Sequence, residues 1–147
     1  MNKPLVSVLM PCYNVEKYVE ESMNSILNQT YTDLQIVAIN DCSTDNTGRI
    51  LHELAKKDSR ITVVENEENL KLIKTLNKGI SLCKGEYIAR MDADDIALPT
   101  RIEKEVAFLE RNKEHDIVST LFYAFRTENA GKRDLHHSPL KLSLIHI

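Results

Sequence analysis

The chain has 147 residues, 42% hydrophobic, 28% charged and 5% aromatic, with a formal net charge of −3. That is about one domain's length. It is enough to bury a real core, and with 4 Gly and 4 Pro the composition excludes collagen, low complexity and general disorder. No apolar run approaches the roughly 18 residues of a membrane span, and the mild acidity argues against a nucleic-acid binder, which needs a basic face.

Leu5–Met10 is a short apolar run without a small-residue cleavage site, so it reads as a buried strand and not as a leader. Val15, Tyr18, Val19, Met23, Ile26 and Leu27 recur at helical spacing. Leu34–Ile39 is a second apolar run. The polar cluster Ser43–Asn46 offers N-cap chemistry to a helix striped by Ile50, Leu51, Leu54 and Ala55. Ile61–Val64 is a third strand. Leu72, Ile73, Leu76 and Ile80 stripe a third helix, with Gly79 near its end. Tyr87–Met91 follows the turn signal Lys84-Gly85 as a fourth strand. Pro99 opens a helix lined by Ile102, Val106 and Leu109, and Ile117–Phe122 is a candidate fifth strand.

Strands alternating with helices imply βαβ units and a mostly parallel α/β sheet. Such sheets bind ligands outside the carboxyl ends of their strands. Those ends read Pro11-Cys12-Tyr13-Asn14, Asn40-Asp41-Cys42-Ser43-Thr44-Asp45, Glu65–Asn69 and Asp92-Ala93-Asp94-Asp95. The last is the sharpest feature. Carboxylates this close repel one another in a low-dielectric pocket, and a divalent cation relieves that cost. A solvated turn or a cap ahead of the next helix is the plainer alternative. Asp41 is placed to accept hydrogen bonds from a ribose or base, whereas Asp45 reads as a helix cap. Tyr13 can pack on a nucleobase. Cys12, Cys42 and Cys83 are too scattered for a disulfide framework or a thiolate metal site, and they fit a reduced, cytoplasmic setting. HExxH, GxSxG, GxxxxGK[ST] and GxGxxG are all absent, so a metal is the expected holder of any phosphate.

Three strings, Val6–Asn14, Asn40–Thr47 and Lys84–Asp95, stand in an order that resembles family 2 glycosyltransferases of the GT-A fold. The resemblance covers about residues 4 to 112. It implies a GT-A, Rossmann-like, mostly parallel sheet flanked by helices. It also implies transfer of a sugar from a nucleotide-diphosphate donor, often UDP-linked, to a saccharide or lipid-linked acceptor with inversion. Pro11 and Tyr13 match nucleoside-pocket positions, with Asn14 beside them on the nucleotide-sugar side. Asp41 matches the acid that reads the base. Asp92 and Asp94 match the DxD motif, Asp94 as ligand to Mn²⁺ or Mg²⁺ and Asp92 near the ribose and metal shell. Surface-polysaccharide synthesis and peripheral attachment at the inner membrane face are what the resemblance suggests for context.

The chain departs from that pattern in three ways. Asn40-Asp41 stands where Asp-Asp is common. Lys71 stands where Gly is common and reads as solvated, with a donor contact as the alternative. The acids after Asp95, Glu128 among them, lie in no recognisable base motif, so no catalytic base is assigned. The expectation is therefore an incomplete GT-A domain over 1–135, with an irregular tail over 136–147 that reads as non-native. Against catalysis stands a truncated module that binds a nucleotide sugar without transferring it. A phospho-receiver domain, the remaining option, needs acids after the first strand, where Pro11-Cys12-Tyr13-Asn14 supplies none.

Overall fold

A computed structural model describes residues 4–124, 134–136 and 144–146 of the chain. The elements run β1 (Val6–Cys12), α1 (Val19–Leu27), β2 (Leu34–Asn40), α2 (Thr47–Lys57), β3 (Ile61–Glu65), α3 (Lys71–Ile80), β4 (Tyr87–Arg90), α4 (Arg101–Arg111), β5 (Ile117–Val118), β6 (Phe122–Ala124), β7 (Asp134–His136) and β8 (Leu144–His146). Each apolar run of the first ninety residues became a strand, because Val-, Ile- and Leu-rich segments of this length fill a sheet covered on both sides. Among the described residues, no helix is long and apolar enough to cross a membrane.

The main sheet has the order β3-β2-β1-β4-β8-β5. β1 pairs in parallel with β2 from Val6↔Leu34 to Cys12↔Asn40. It pairs in parallel with β4 from Val6↔Tyr87 to Leu9↔Arg90. The chain thus steps outward from β1 to β2 to β3, then returns across β1 to lay down β4 on the other side. With right-handed crossovers, that reversal sends the returning helix to the opposite face. It also opens a crevice where the carboxyl ends of β1 and β4 diverge.

The two faces differ in thickness. Val6, Val8, Met10, Ile36 and Ala38 pack against Val19, Met23 and Ile26 of α1, Leu51 of α2, and Ile102, Val106 and Leu109 of α4. Burying each large aliphatic side chain contributes about 1.5–3 kcal/mol, so this face holds most of the stability. The other face is a small cluster of Leu9, Val37, Ile39 and Ile88 with Leu76, Val64 and Cys83 packed on it. α3 lies against that cluster through small residues: its buried positions are Thr75 and Gly79. A Cβ on Gly79 would meet Leu9 Cδ1 at 2.3 Å and Ile39 Cδ1 at 2.8 Å. The stripe Leu72, Ile73 and Ile80 is therefore turned outward, with Ile73 75% exposed. Leu76 packs on that cluster, but at Thr75 and Gly79 the helix approaches too closely for a bulky side chain.

Two further expectations change. The segment 117–122 is not one strand: β5 ends at Val118, and Phe122 begins β6, which pairs antiparallel with β7 in a separate two-stranded sheet. Within 136–147, expected to be irregular, residues Leu144–His146 form β8, antiparallel to both β4 and β5. The apolar run Leu144-Ile145 supplies a partner for the edge that β4 would otherwise leave open. Glu128 and residues 137–143 lie outside the described residues.

Candidate functional site

A cleft of about 370 Å³ opens at the divergence of β1 and β4, the size range of a small-ligand site. Pro11 and Tyr13 from the end of β1, Asp41 from β2, Lys71 from α3, and Asp92 and Asp94 after β4 line it. Five of the six residues expected to hold a nucleotide sugar meet there. The sixth, Asn14, has its side chain turned aside. Its Oδ1 accepts the Thr44 N–H at 2.8 Å, and its own N–H donates to Ser43 Oγ at 3.1 Å. Asn14 sits in the left-handed region, φ 51°, a conformation that asparagine tolerates, and it fastens the loop after β1 to the loop after β2.

That fastening is shared with Asp45. The Thr47 N–H donates to its Oδ1 at 2.9 Å and the Glu16 N–H to its Oδ2 at 3.0 Å. Asp45 thus serves the start of α2, as its position suggested. Burial pushes its carboxyl up, but hydrogen bonds from Thr47 and Glu16 outweigh this and hold it below the usual range.

Asp41 is 4% exposed. Its Oδ1 accepts from Asn66 Nδ2 at 2.7 Å and from the Leu70 N–H at 2.8 Å. Burial alone would raise its pKa, yet the donors Asn66, Leu70, Thr75 and the Lys71 N–H together lower it. Asn66 is in turn oriented by Lys78, whose Nζ donates to its Oδ1 at 2.7 Å. The charge of Lys78 thereby fixes which end of the amide faces the acid. Sequence reading missed Asn66, Thr75 and Lys78, because they lie on β3's exit and on α3, far from Asp41 along the chain. Asn40 explains the departure from Asp-Asp: its Nδ2 donates to Glu65 Oε2 at 2.6 Å and its Oδ1 accepts the Ser43 N–H. A carboxylate there has no proton to offer Glu65.

The loop after β4 is built differently. Helix α1 stitches it from below: Ser22 Oγ donates to the Asp92 carbonyl, Ser25 Oγ accepts the Ala97 N–H, and Gln29 bonds both the Leu98 carbonyl and the Ile102 N–H. Arg101 of α4 donates to the Arg90 carbonyl at 3.0 Å and pairs with buried Glu105. The backbone is held, and the carboxylates differ in setting. Asp92 meets Arg90 Nη2 at 2.8 Å, and Arg90 Nε is buried without a hydrogen-bond partner among the described residues. Asp94 is exposed. Among the described residues, no three acid, His or Cys side chains converge as a complete metal cage. Two carboxylates two residues apart fit a hard cation that takes its other ligands from phosphate and water.

The thiols take no part in holding that loop. Cys12 donates to the Met10 carbonyl in the core. Burial, with the charge of Glu65, pushes its pKa up to about 12. Cys42 faces the Glu67 carbonyl instead. Among the described side chains, His52 pairs with Glu65 and His115 with Glu114, and neither lines the cleft.

Residues 7–146 match the family model described as Glycosyl transferase family 2. An uncharacterized glycosyltransferase of Haemophilus influenzae is 53% identical over 111 residues, covering 76% of this chain and 34% of that protein. The uncharacterized glycosyltransferase MJ1057 of Methanocaldococcus jannaschii is 43% identical over 133 residues, 89% of this chain and 46% of that protein. Among solved structures, S. aureus TarS 1–349 in complex with UDP superposes with a TM-score of 0.69 at 29% identity, over 74% of this chain and 33% of that one. The Pyrobaculum calidifontis mannosyltransferase PcManGT, in complex with GDP-Man and Mn²⁺, gives 0.68 at 29% identity, over 74% and 33%. The chain spans about a third to a half of the length of these relatives.

Proposed function

This chain belongs to glycosyl transferase family 2 and has the GT-A, Rossmann-like sheet of its structural neighbours, and we propose that its cleft binds a nucleotide-diphosphate sugar, UDP-linked in the first instance, for metal-dependent transfer with inversion to a saccharide or lipid-linked acceptor. The observation that carries this reading is the placement of Asp41 and the Asp92–Asp94 pair in one cleft at the β1/β4 divergence. Asp41, ionised and held by four donors, accepts N–H groups of the base. Pro11 and Tyr13 cover the nucleoside. Asp94, with Asp92, would hold Mn²⁺ or Mg²⁺, which supplies charge neutralisation to the diphosphate as it leaves. A lipid-linked acceptor would be met at a membrane face.

A second reading has its own support. Among the described residues, the acids lining the cleft are Asp41, Asp92 and Asp94, all of them assigned to the donor, so none of these remains to deprotonate an acceptor. On that reading these residues bind the nucleotide sugar without transferring it.

Calorimetric titration of the chain with UDP, UDP-sugars and GDP-sugars, in Mn²⁺ and again in EDTA, tests the donor site. Metal-dependent binding weakened at least tenfold by Asp94→Ala supports it. Equal affinity in EDTA refutes the metal's role, and no binding of any nucleotide refutes the donor site. Release of free sugar or transfer by the same sample decides between the two readings.

A further inference from the structure

We infer that Lys71 is a donor-phosphate contact, held in a strained backbone conformation so that its ammonium group serves the cleft. The inference rests on the donor-site reading above. Lys71 is the first residue of α3 and has φ 65°. That is the left-handed region, where a Cβ crowds the neighbouring carbonyl. Glycine would sit there without strain, so the lysine needs a reason. The strain is held by its surroundings. Asn69 Oδ1 accepts the Lys71 N–H at 3.0 Å, and Asp41 accepts the Leu70 N–H at 2.8 Å. The group that would read the base therefore also fixes the residue beside it.

Charge says what Lys71 is for. The cleft carries three carboxylates, Asp41, Asp92 and Asp94, and two cations, Arg90 and Lys71. Arg90 is engaged with Asp92. Lys71 Nζ has no carboxylate partner among the described residues, and its side chain is exposed at the cleft wall. A diphosphate entering this acidic cleft meets one uncommitted cation there among the described residues, on the α3 side of the same cleft that Asp92 and Asp94 line. A charge-assisted contact from a lysine to phosphate is a point-charge interaction and does not need a fixed fork.

The test compares a charged and an uncharged probe on the full chain in Mn²⁺. UDP (or GDP, whichever the wild type binds) is titrated calorimetrically, and the matching nucleoside by NMR. Lys71→Gly and Lys71→Met should each weaken the nucleoside diphosphate about tenfold, leave the nucleoside within twofold, and steepen no salt dependence; Lys71→Arg should stay within threefold of wild type. Lys71→Gly should also raise the thermal midpoint, and Lys71→Met should not, because only glycine relieves the backbone. Unchanged diphosphate affinity in both the Gly and Met variants overturns the inference while leaving the donor site standing. An equal loss of nucleoside binding overturns it as well, since the effect would then be structural. A wild-type chain that binds no nucleoside diphosphate overturns both readings together.

Discussion

The cleft has two banks, and they are prepared to different degrees. On the β2 side, Asp41 is buried and fully engaged by Asn66, Leu70, Thr75 and Lys71. On the β4 side, Asp94 is exposed and Asp92 leans on Arg90. On the proposed reading, the first bank is the one that receives the base. The second has a rigid backbone, sewn down by Ser22, Ser25, Gln29 and Arg101, under an exposed Asp94. The difference teaches that pre-organisation is local: a base can be recognised by a preformed wall, whereas a metal and a diphosphate arrive with their own charge and complete a site left open.

The contrast predicts unequal costs. Asp41→Ala should be the most damaging change, because it strands the Asn66 amide and the Leu70 N–H in the interior. Unsatisfied buried donors of this kind cost about 1–3 kcal/mol each. A loss of about 3 kcal/mol, seen as a fall of roughly 6–12 °C in thermal midpoint, is the expected result, and a fall under about 2 °C would break the comparison.

A smaller effect lies in acid. Asp41's carboxyl gives up its proton more readily in the folded chain than at its ordinary value of 3.8. Its contribution to stability is therefore complete above that value and is lost as pH falls through the lower, folded one. Denaturant titrations from neutral pH downward should show wild-type stability dropping more steeply than that of Asp41→Asn below about pH 4. Asp45 and Asp58, whose carboxyls are lowered too, keep a residual slope in both proteins. Parallel curves would mean that Asp41 gains nothing from its donors.

The smallest effect is expected on the open bank. Asp94→Ala should change unfolding free energy by no more than about 0.5 kcal/mol, the usual range for an exposed position. A large loss there would show that the second bank is structural after all.

Much of this could be read from residue order. The strands β1 to β4 appear as apolar runs, and their carboxyl ends mark where the cleft opens, so the positions of Pro11, Tyr13, Asp41, Asp92 and Asp94 along it are legible from residue order. What escaped is non-local. Periodicity finds the apolar stripe of α3 but cannot tell which side faces the sheet; here Thr75 and Gly79 do, because contact distance and not hydrophobicity decides. Lys78 supports Asp41 only through Asn66, and no spacing rule links the three. The β8 segment escaped because a three-residue strand at 144–146 gains meaning only beside its partners. Asn14 looked like a ligand-facing residue, whereas its side chain is spent on Thr44.

The position of β8 has a kinetic consequence. It lies inside the sheet, with β4 on one side and β5 on the other, and β5 reaches the remainder of that sheet through it. Residues 117–118 must therefore wait for residues 144–146 before they can join. Pairings of long sequence separation form slowly, since the intervening chain must first be closed into a loop. During synthesis, the β3-β2-β1-β4 part of the sheet can be complete while the β4 edge still stands bare, open to a strand from another chain.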